Sequence, residues 1–328
     1  MSSSELRPLS EVARLPLGPK EARALCSAVV ANVDKALVGR REAVVFCLVA
    51  LAARGHLLLE DVPGVGKSSL ALALARSFGL PLSRIQFTSD LLPSDVLGVS
   101  IWDANERRFV FRKGPIFSHV VLADELNRTP PRTQSALLEA MAEGQVSLDG
   151  ETRALPRPFF VIATLNPQEQ QGTYPLPESQ LDRFLLRLSL GYPGREQERA
   201  LLVTRRLDDP VAALSAVASR EDLVRLQAGV EEVRMDEAVA DYILSIAAAT
   251  RSDRRFSLGV STRGALALAA ACRAHALLDG RDFVLPEDVK ALAVPVLAHR
   301  VQVAGRDDGS QGAAEAIEDL LHTLPVPE

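Results

Sequence analysis

The stretch Asp61-Val62-Pro63-Gly64-Val65-Gly66-Lys67-Ser68 decides the fold. It follows the apolar run Leu57-Leu58-Leu59 and precedes Leu70-Ala71-Leu72-Ala73-Leu74-Ala75-Arg76. A buried strand, a glycine-bearing loop and a helix start thus come in the order that a phosphate cradle requires. Such a loop turns its backbone N–H groups inward, and the helix N-terminus adds the positive end of its dipole. Gly64 and Gly66 let the backbone approach an anion with no Cβ in the way. Lys67 can reach β- and γ-phosphates and Ser68 can offer its hydroxyl to magnesium, with Pro63, Val65 and Ser69 completing the cradle. Asp61 stands where the G-x-x-x-x-G-K-[ST] pattern has its first glycine, while the core P-G-x-G-K-S is intact.

The chain has 328 residues, enough for one large domain or two smaller ones. Hydrophobic residues make up 47% and charged residues 24%, the balance of a soluble globular protein. The net charge is -5, which counts against non-specific duplex binding and leaves room only for a local basic patch. The longest apolar run, Ala43 to Ala53, is too short to span a bilayer and reads as a buried helix. Met1-Ser2-Ser3-Ser4-Glu5 lacks the basic and apolar regions of a secretory leader, so a cytoplasmic location is expected. Cys26, Cys47 and Cys272 are far apart and without metal spacing, and read as reduced, buried thiols. The histidines form no H-x-x-x-H or H-E-x-x-H set, and structural zinc is not expected.

Residues 1–19, with Pro8, Pro16 and Pro19, read as a flexible lead-in. Apolar residues near period 3.6 predict helices over Glu21–Leu37, Arg41–Arg54, Ser69–Phe78 and Pro131–Glu143. Buried strands are expected at Leu57–Leu59, Arg84–Phe87, Val120–Ala123, Phe159–Ala163 and Leu185–Leu190. Hairpins are expected at Val99–Trp102 with Arg108–Arg112, and at Gln145–Leu148 with Thr152–Leu155. At Tyr192-Pro193-Gly194 the pattern turns helical and rich in alanine and leucine. The expected organisation is an α/β nucleotide-binding domain over 20–193 and a smaller helical domain over 194–328. Ala304–Gly312 reads as a surface loop, and His299-Arg300 as a helix end whose positive charge suits the dipole.

Three further features fit a triphosphate site. Val120-Val121-Leu122-Ala123 ends in Asp124-Glu125, at the strand end where open α/β sheets bind ligands. Asp124 suits magnesium beside Ser68, and Glu125 suits polarising a water. The run Val161-Ile162-Ala163-Thr164-Leu165-Asn166-Pro167 ends in an amide that can orient that water, or in a plain Asn-Pro turn. Leu181-Asp182-Arg183-Phe184 sets a cation just before the last strand; it either serves a γ-phosphate or pairs locally with Asp182 or Glu178.

These residues together resemble an AAA+ ATPase, and longer words narrow the likeness to the MoxR family. They are Arg84-Ile85-Gln86-Phe87-Thr88-Ser89-Asp90-Leu91-Leu92-Pro93-Ser94-Asp95, Asp124-Glu125-Leu126-Asn127-Arg128, Gln134 to Met141, and Leu176 to Phe184. The resemblance covers about residues 30 to 300. It implies a three-layer α/β/α core with a parallel sheet, a hairpin inserted in helix 2, and an all-helical lid. It also implies ATP and Mg2+ held between the subunits of a hexameric or other closed ring. Arg183 would match the arginine finger, acting on the neighbour's nucleotide. Arg263, in Ser261-Thr262-Arg263-Gly264, would match the second sensor, in cis or in trans. Val38 and Gly39 would match the adenine-side word, with Arg40 in place of glutamine. The implied output is remodelling or maturation of client proteins, with a von Willebrand factor A-type partner.

The hairpin carries Arg107, Arg108, Arg112 and Lys113 among Trp102, Phe109 and Phe111. Its alternation predicts a half-buried ribbon with Phe109 and Phe111 inward and the charges solvated. The same residues would also suit single-stranded nucleic acid or an acidic partner, so a nucleic-acid-stimulated ring motor is the alternative function.

Overall fold

The computed structural model describes residues 15–166, 172–192, 194–204, 210–304 and 309–327. Residues 1–14 of the expected lead-in, Pro167, Pro193 and residues 305–308 of the expected surface loop lie outside these. The chain opens with α1 (Pro19–Asp34) and α2 (Arg41–Ala52), then β1 (Leu57–Glu60), α3 (Lys67–Ser77) and β2 (Leu82–Gln86). A short α4 (Pro93–Leu97) leads into the hairpin β3 (Gly98–Asp103) and β4 (Arg108–Lys113). Then come β5 (Val120–Asp124), α5 (Pro131–Glu143), the hairpin β6 (Gln145–Leu148) and β7 (Glu151–Ala154), and β8 (Phe160–Leu165). The one-turn α6 (Glu178–Leu181) and β9 (Leu186–Leu188) close this part.

Five strands form one parallel sheet in the order β2-β5-β8-β1-β9. Alternate residues of a strand face opposite sides, and the packing follows that rule. Leu57, Leu59, Val120, Leu122, Phe160 and Ile162 join one hydrophobic cluster with α1, α2 and α3. Leu58, Val121, Ala123, Val161 and Ala163 join a second, built on Leu137, Leu138 and Met141 of α5. The core is therefore the expected α/β/α sandwich. It sets the C-terminal ends of β1, β5 and β8 side by side along one edge.

Beyond residue 194 the chain is helical: α7 (Arg195–Thr204), α8 (Arg220–Glu231), α9 (Glu237–Ser252), α10 (Thr262–Leu278), α11 (Pro286–Leu297) and α12 (Gly309–Thr323). Ser219 and Ser261 cap α8 and α10, accepting from Asp222 N at 3.1 Å and Gly264 N at 3.0 Å. The first cluster runs on into this lid through Leu226, Leu268, Cys272 and Leu292, so α1 and α2 bridge the sheet and the lid helices.

Four readings of the sequence are corrected here. The last residues of the expected lead-in belong to the fold: Leu17 is buried, its N–H bonds to Arg225 O at 3.0 Å, and Pro19 opens α1. The lid also carries a small antiparallel ribbon, β10 (Phe256–Leu258) with β11 (Gln302–Val303), too short and too polar to mark itself in sequence. Gly309 to Gly312, expected in a loop, form the first turn of α12. Phe109 does not pack inward: it is 68% exposed and meets the exposed Trp102 edge-on, rings 5.3 Å apart, whereas Phe111 does pack, against Phe117. Register fits the split, because Trp102 pairs with Phe109 near the tip of the ribbon, while Phe111 pairs with Ser100 nearer its base. All three cysteines are buried and free; burial pushes the Cys26 thiol up to about 11. Among the described residues no helix is long and apolar enough to cross a membrane.

Candidate active site

The loop between β1 and α3 turns on two glycines. Gly64 has φ +86° and Gly66, at the N-cap of α3, has φ +98°, left-handed backbone that favours glycine. The loop forms one wall of a cavity of about 330 Å³, lined by Pro63, Gly64, Gly66, Lys67, Ser68, Ser69, Arg84, Asp124, Glu125 and Asn166. The sheet order explains this gathering: β1, β8 and β5 are consecutive neighbours, so residues about 60 and 100 positions apart in sequence end at one edge.

Within the cavity each charged group already has a partner. Lys67 Nζ donates to Asp61 O at 2.6 Å and Leu165 O at 3.3 Å. Burial pulls its pKa down, against the opposing pull of Asp61, Asp124 and Glu125. Asp124 is buried; it accepts from Thr164 Oγ1 at 2.7 Å and from Arg84 Nη2 at 2.6 Å. Glu125 sits at φ +57°, ψ +49°, a left-handed conformation rare outside glycine and asparagine. Its N–H is held by Thr164 Oγ1 at 2.8 Å. Its carboxylate accepts from Gln86 Nε2 at 2.7 Å and pairs with Arg128 Nε at 3.2 Å.

Thr164 is therefore a hub. Its fully buried hydroxyl donates to Asp124 and accepts from the Glu125 backbone, which sets the two acids relative to each other. In the sequence it is no more than a member of the run that ends at Asn166. Arg84 and Gln86 were missed as site residues. Their signal is alternate polar positions on a strand whose register sets Gln86 beside Asp124. Arg128, the last residue of the Asp124-to-Arg128 word, turns back onto Glu125.

Other candidate residues lie away from the cavity wall. Val65 is buried in the first hydrophobic cluster. Val38 is exposed, and Gly39 N–H bonds to Asp34 Oδ1 at 3.2 Å. Arg40 donates to the carbonyls of Leu190 and Gly191. Arg183 pairs with neither Asp182 nor Glu178; its Nη1 donates to Leu138 O at 2.6 Å on α5. Asp182 instead takes Arg300 at 2.7 Å and Arg263 at 3.7 Å, both from the lid. Arg300 and His299 do end the helical run of α11, as expected, and both are buried there.

The residues present fit a magnesium nucleotide. Two left-handed glycines open the loop backbone, a lysine rests on neutral carbonyls, and Ser68 and Asp124 offer hard oxygen ligands to one cavity.

Comparison with known proteins agrees with this geometry. Residues 56–186 match the ATPase family associated with various cellular activities (AAA), and residues 248–320 match the AAA lid domain. The uncharacterized protein YeaC of Bacillus subtilis is 48% identical over 92% of this chain and 95% of its own length. Chaperone MoxR1 of Mycobacterium tuberculosis is 39% identical over 90% of this chain and 81% of its own. The crystal structure of a candidate ATPase from Cytophaga hutchinsonii superposes with a TM-score of 0.85 at 35% identity, covering 94% of this chain and 97% of that one. Fold and site together define an AAA+ ATPase, with a nucleotide-binding sheet and a helical lid. Within that class, the chain belongs to the MoxR family.

Proposed function

We propose that the protein hydrolyses ATP with magnesium at the shared edge of β1, β5 and β8, and that protomers form a closed, hexameric ring to do so. The observation that carries this reading is the convergence of the phosphate loop, Asp124-Glu125 and Asn166 on one cavity. Lys67 would leave the carbonyls of Asp61 and Leu165 for the phosphates, while the loop amides hold the rest of the chain of charge. Ser68 and Asp124 would hold the metal, which neutralises charge building on the phosphate oxygens. Glu125 would take the proton of the attacking water once Gln86 and Arg128 release it, and Asn166 would orient that water. Arg183 of one protomer would stabilise charge in its neighbour's site, with Arg263 as a second cation. Val38 and Gly39 would flank the adenine.

The output would be nucleotide-driven remodelling or maturation of a client protein, with a von Willebrand factor A-type domain as partner. A relative named as a chaperone supports the chaperone-like half of that reading. Turnover measured across protein concentration tests it: specific activity should rise as the ring assembles. Glu125→Gln should lower turnover by about 100-fold or more while keeping ATP binding, and Lys67→Ala should lose ATP binding. Unchanged turnover in Glu125→Gln would remove the assigned base. The exposed Trp102–Phe109 pair, on a hairpin that also carries Arg107, Arg108 and Arg112, supports a second reading, a motor stimulated by single-stranded nucleic acid. Stimulation by oligonucleotide and not by a client protein would favour it.

A further inference from the structure

Arg300 lies at the end of the 3-10 turn Ala298–Arg300, in the lid, yet most of its bonding is to the loop that carries Arg183, with Val296 O and His299 Nε2 (2.8 Å) as its contacts within the lid. Nε donates to Asp182 Oδ1 at 2.7 Å. Nη2 donates to Phe184 O at 2.6 Å and Asp182 O at 3.3 Å. Nη1 donates to Leu185 O at 3.1 Å and to Val296 O. A guanidinium has five N–H groups, so every one is used. Three go to the residues that flank Arg183, two to Asp182 and one to Phe184, and a fourth goes to Leu185. The side chain is 3% exposed, and burial pulls the guanidinium pKa down while the Asp182 carboxylate opposes that pull.

The lid is shaped around this side chain. Gly264 lies in the first turn of α10; a Cβ there would stand 3.1 Å from Arg300 Cδ and 2.9 Å from Val260 Cγ1. The next residue back, Arg263, reaches the other oxygen of the same Asp182 carboxylate at 3.7 Å. One carboxylate, adjacent in sequence to Arg183, is thus gripped by two lid arginines from two different elements.

We infer that Arg300 is a positioning residue: it fixes the Asp182–Leu185 backbone so that Arg183 is presented to the neighbouring protomer's ATP, and so couples the lid of one protomer to hydrolysis in the next. This rests on the reading above that Arg183 acts in trans. A salt bridge kept only for stability would need one acceptor; this one spends a rigid five-donor fork on four consecutive-loop acceptors. Lysine, with three donors and no planar fork, cannot replace it.

Subunit mixing tests the inference. Arg300→Met alone should lose about 100-fold in turnover, the scale expected for a misplaced catalytic group, with the KM for ATP little changed. Glu125→Gln alone should be equally inactive. Mixed, they should regain activity well above the sum of the two, because an Arg300→Met protomer with its own intact acids can receive a correctly held Arg183 from a Glu125→Gln neighbour. Arg183→Ala mixed with Glu125→Gln is the control for action in trans. Rescue in both mixtures supports the inference. Rescue in the control alone means that Arg300 serves its own protomer's site or only its fold, and overturns it. Rescue in neither removes the trans finger and this inference with it. Should Arg300→Met fail to fold by thermal melting, Arg300→Lys and Gly264→Ala, which crowds Arg300 Cδ, are read in the same mixtures.

Discussion

Asp61 and Arg40 grip the same stretch of backbone from opposite sides. The Asp61 carboxylate accepts from Ser189 Oγ at 3.1 Å, from Gly191 N at 2.9 Å and from Leu190 N. Arg40 donates to Leu190 O and, at 2.7 Å, to Gly191 O. That stretch leaves β9 for the lid. The Asp61 carbonyl meanwhile receives Lys67 Nζ. The residue that departs from the glycine of the phosphate-loop pattern therefore ties the loop to the start of the lid connection, and the residue that departs from the adenine-side glutamine ties the same connection from α2.

Replacing that carboxylate should cost stability more than nucleotide affinity. Asp61→Gly restores the motif glycine but strands the N–H groups of Leu190 and Gly191. Charge-assisted hydrogen bonds to a buried acceptor put the loss at roughly 2–4 kcal/mol. Asp61→Asn should lose less, and Arg40→Gln less again, since its carbonyl partners can turn to water. Urea unfolding midpoints of the three variants give the order directly; an unchanged midpoint for Asp61→Gly contradicts the clamp.

Thr164→Val is nearly isosteric and should fold, but it removes the hydroxyl that spaces the two acids. Glu125 holds a left-handed backbone that costs about 1–2 kcal/mol, and its N–H would lose its acceptor. Turnover should fall by roughly 10-fold or more, with ATP affinity nearly kept, because Lys67 and the loop amides are untouched. Thr164→Ser, which keeps the hydroxyl, should retain most activity. Equal turnover in the Val and Ser variants would show that the bridge has no catalytic role.

Much of this site is visible in the sequence because its parts are local. Strand, glycine loop and helix are contiguous from Leu57 to Ser77, and the acids follow directly on an apolar run. The Asp182–Arg300 pair is different. Its members are 118 residues apart, and the acceptors of Arg300 are mostly carbonyls, which every sequence has everywhere. A buried arginine next to an apolar helix then looks the same as a solvated one. Phe109 failed for the converse reason: period-2 alternation predicts a buried face only as far along a ribbon as something lies beneath it.

Gln86, on the edge strand β2, holds the Glu125 carboxylate at 2.7 Å, so Gln86→Ala should free the base. A hydrogen bond to a charged group contributes about 1.5–3 kcal/mol net, and exposure of this pair brings that to about 1 kcal/mol, which sets the rise in basal turnover at roughly fivefold. Arg128 still contacts the carboxylate, so the release is partial, and Gln86→Ala with Arg128→Ala should exceed either alone. Both changes lie on exposed or half-exposed side chains and should leave the melting temperature close to the parent's. A fall in turnover for Gln86→Ala would mean that this contact helps catalysis instead of restraining it.

Acid should unfold the protein through its buried histidines. Val161 N donates to His56 Nδ1 at 3.1 Å, so the ring proton sits on Nε2, which faces Met141 O at 3.2 Å; the ring is neutral. Burial pushes its pKa down to about 4. Burial likewise lowers His119, and burial with the adjacent Arg300 lowers His299 well below its usual value. In each case the unfolded chain takes up a proton near pH 6.5 that the folded chain refuses until lower pH. The stability these groups contribute is complete above about pH 6.5 and is lost as pH falls toward about 4. His56 alone should account for about 3 kcal/mol across that window. Asp288, held at about 2 by its bonds to His275 and Arg281 despite burial, loses its contribution only further down and does not blur the slope. Unfolding midpoints should therefore fall steeply between about pH 6.5 and about pH 4.5. His56→Gln, which cannot take the charge, should show a lower midpoint at neutral pH and a shallower slope. A parent protein equally stable at both ends of that range would mean that these rings are not held neutral.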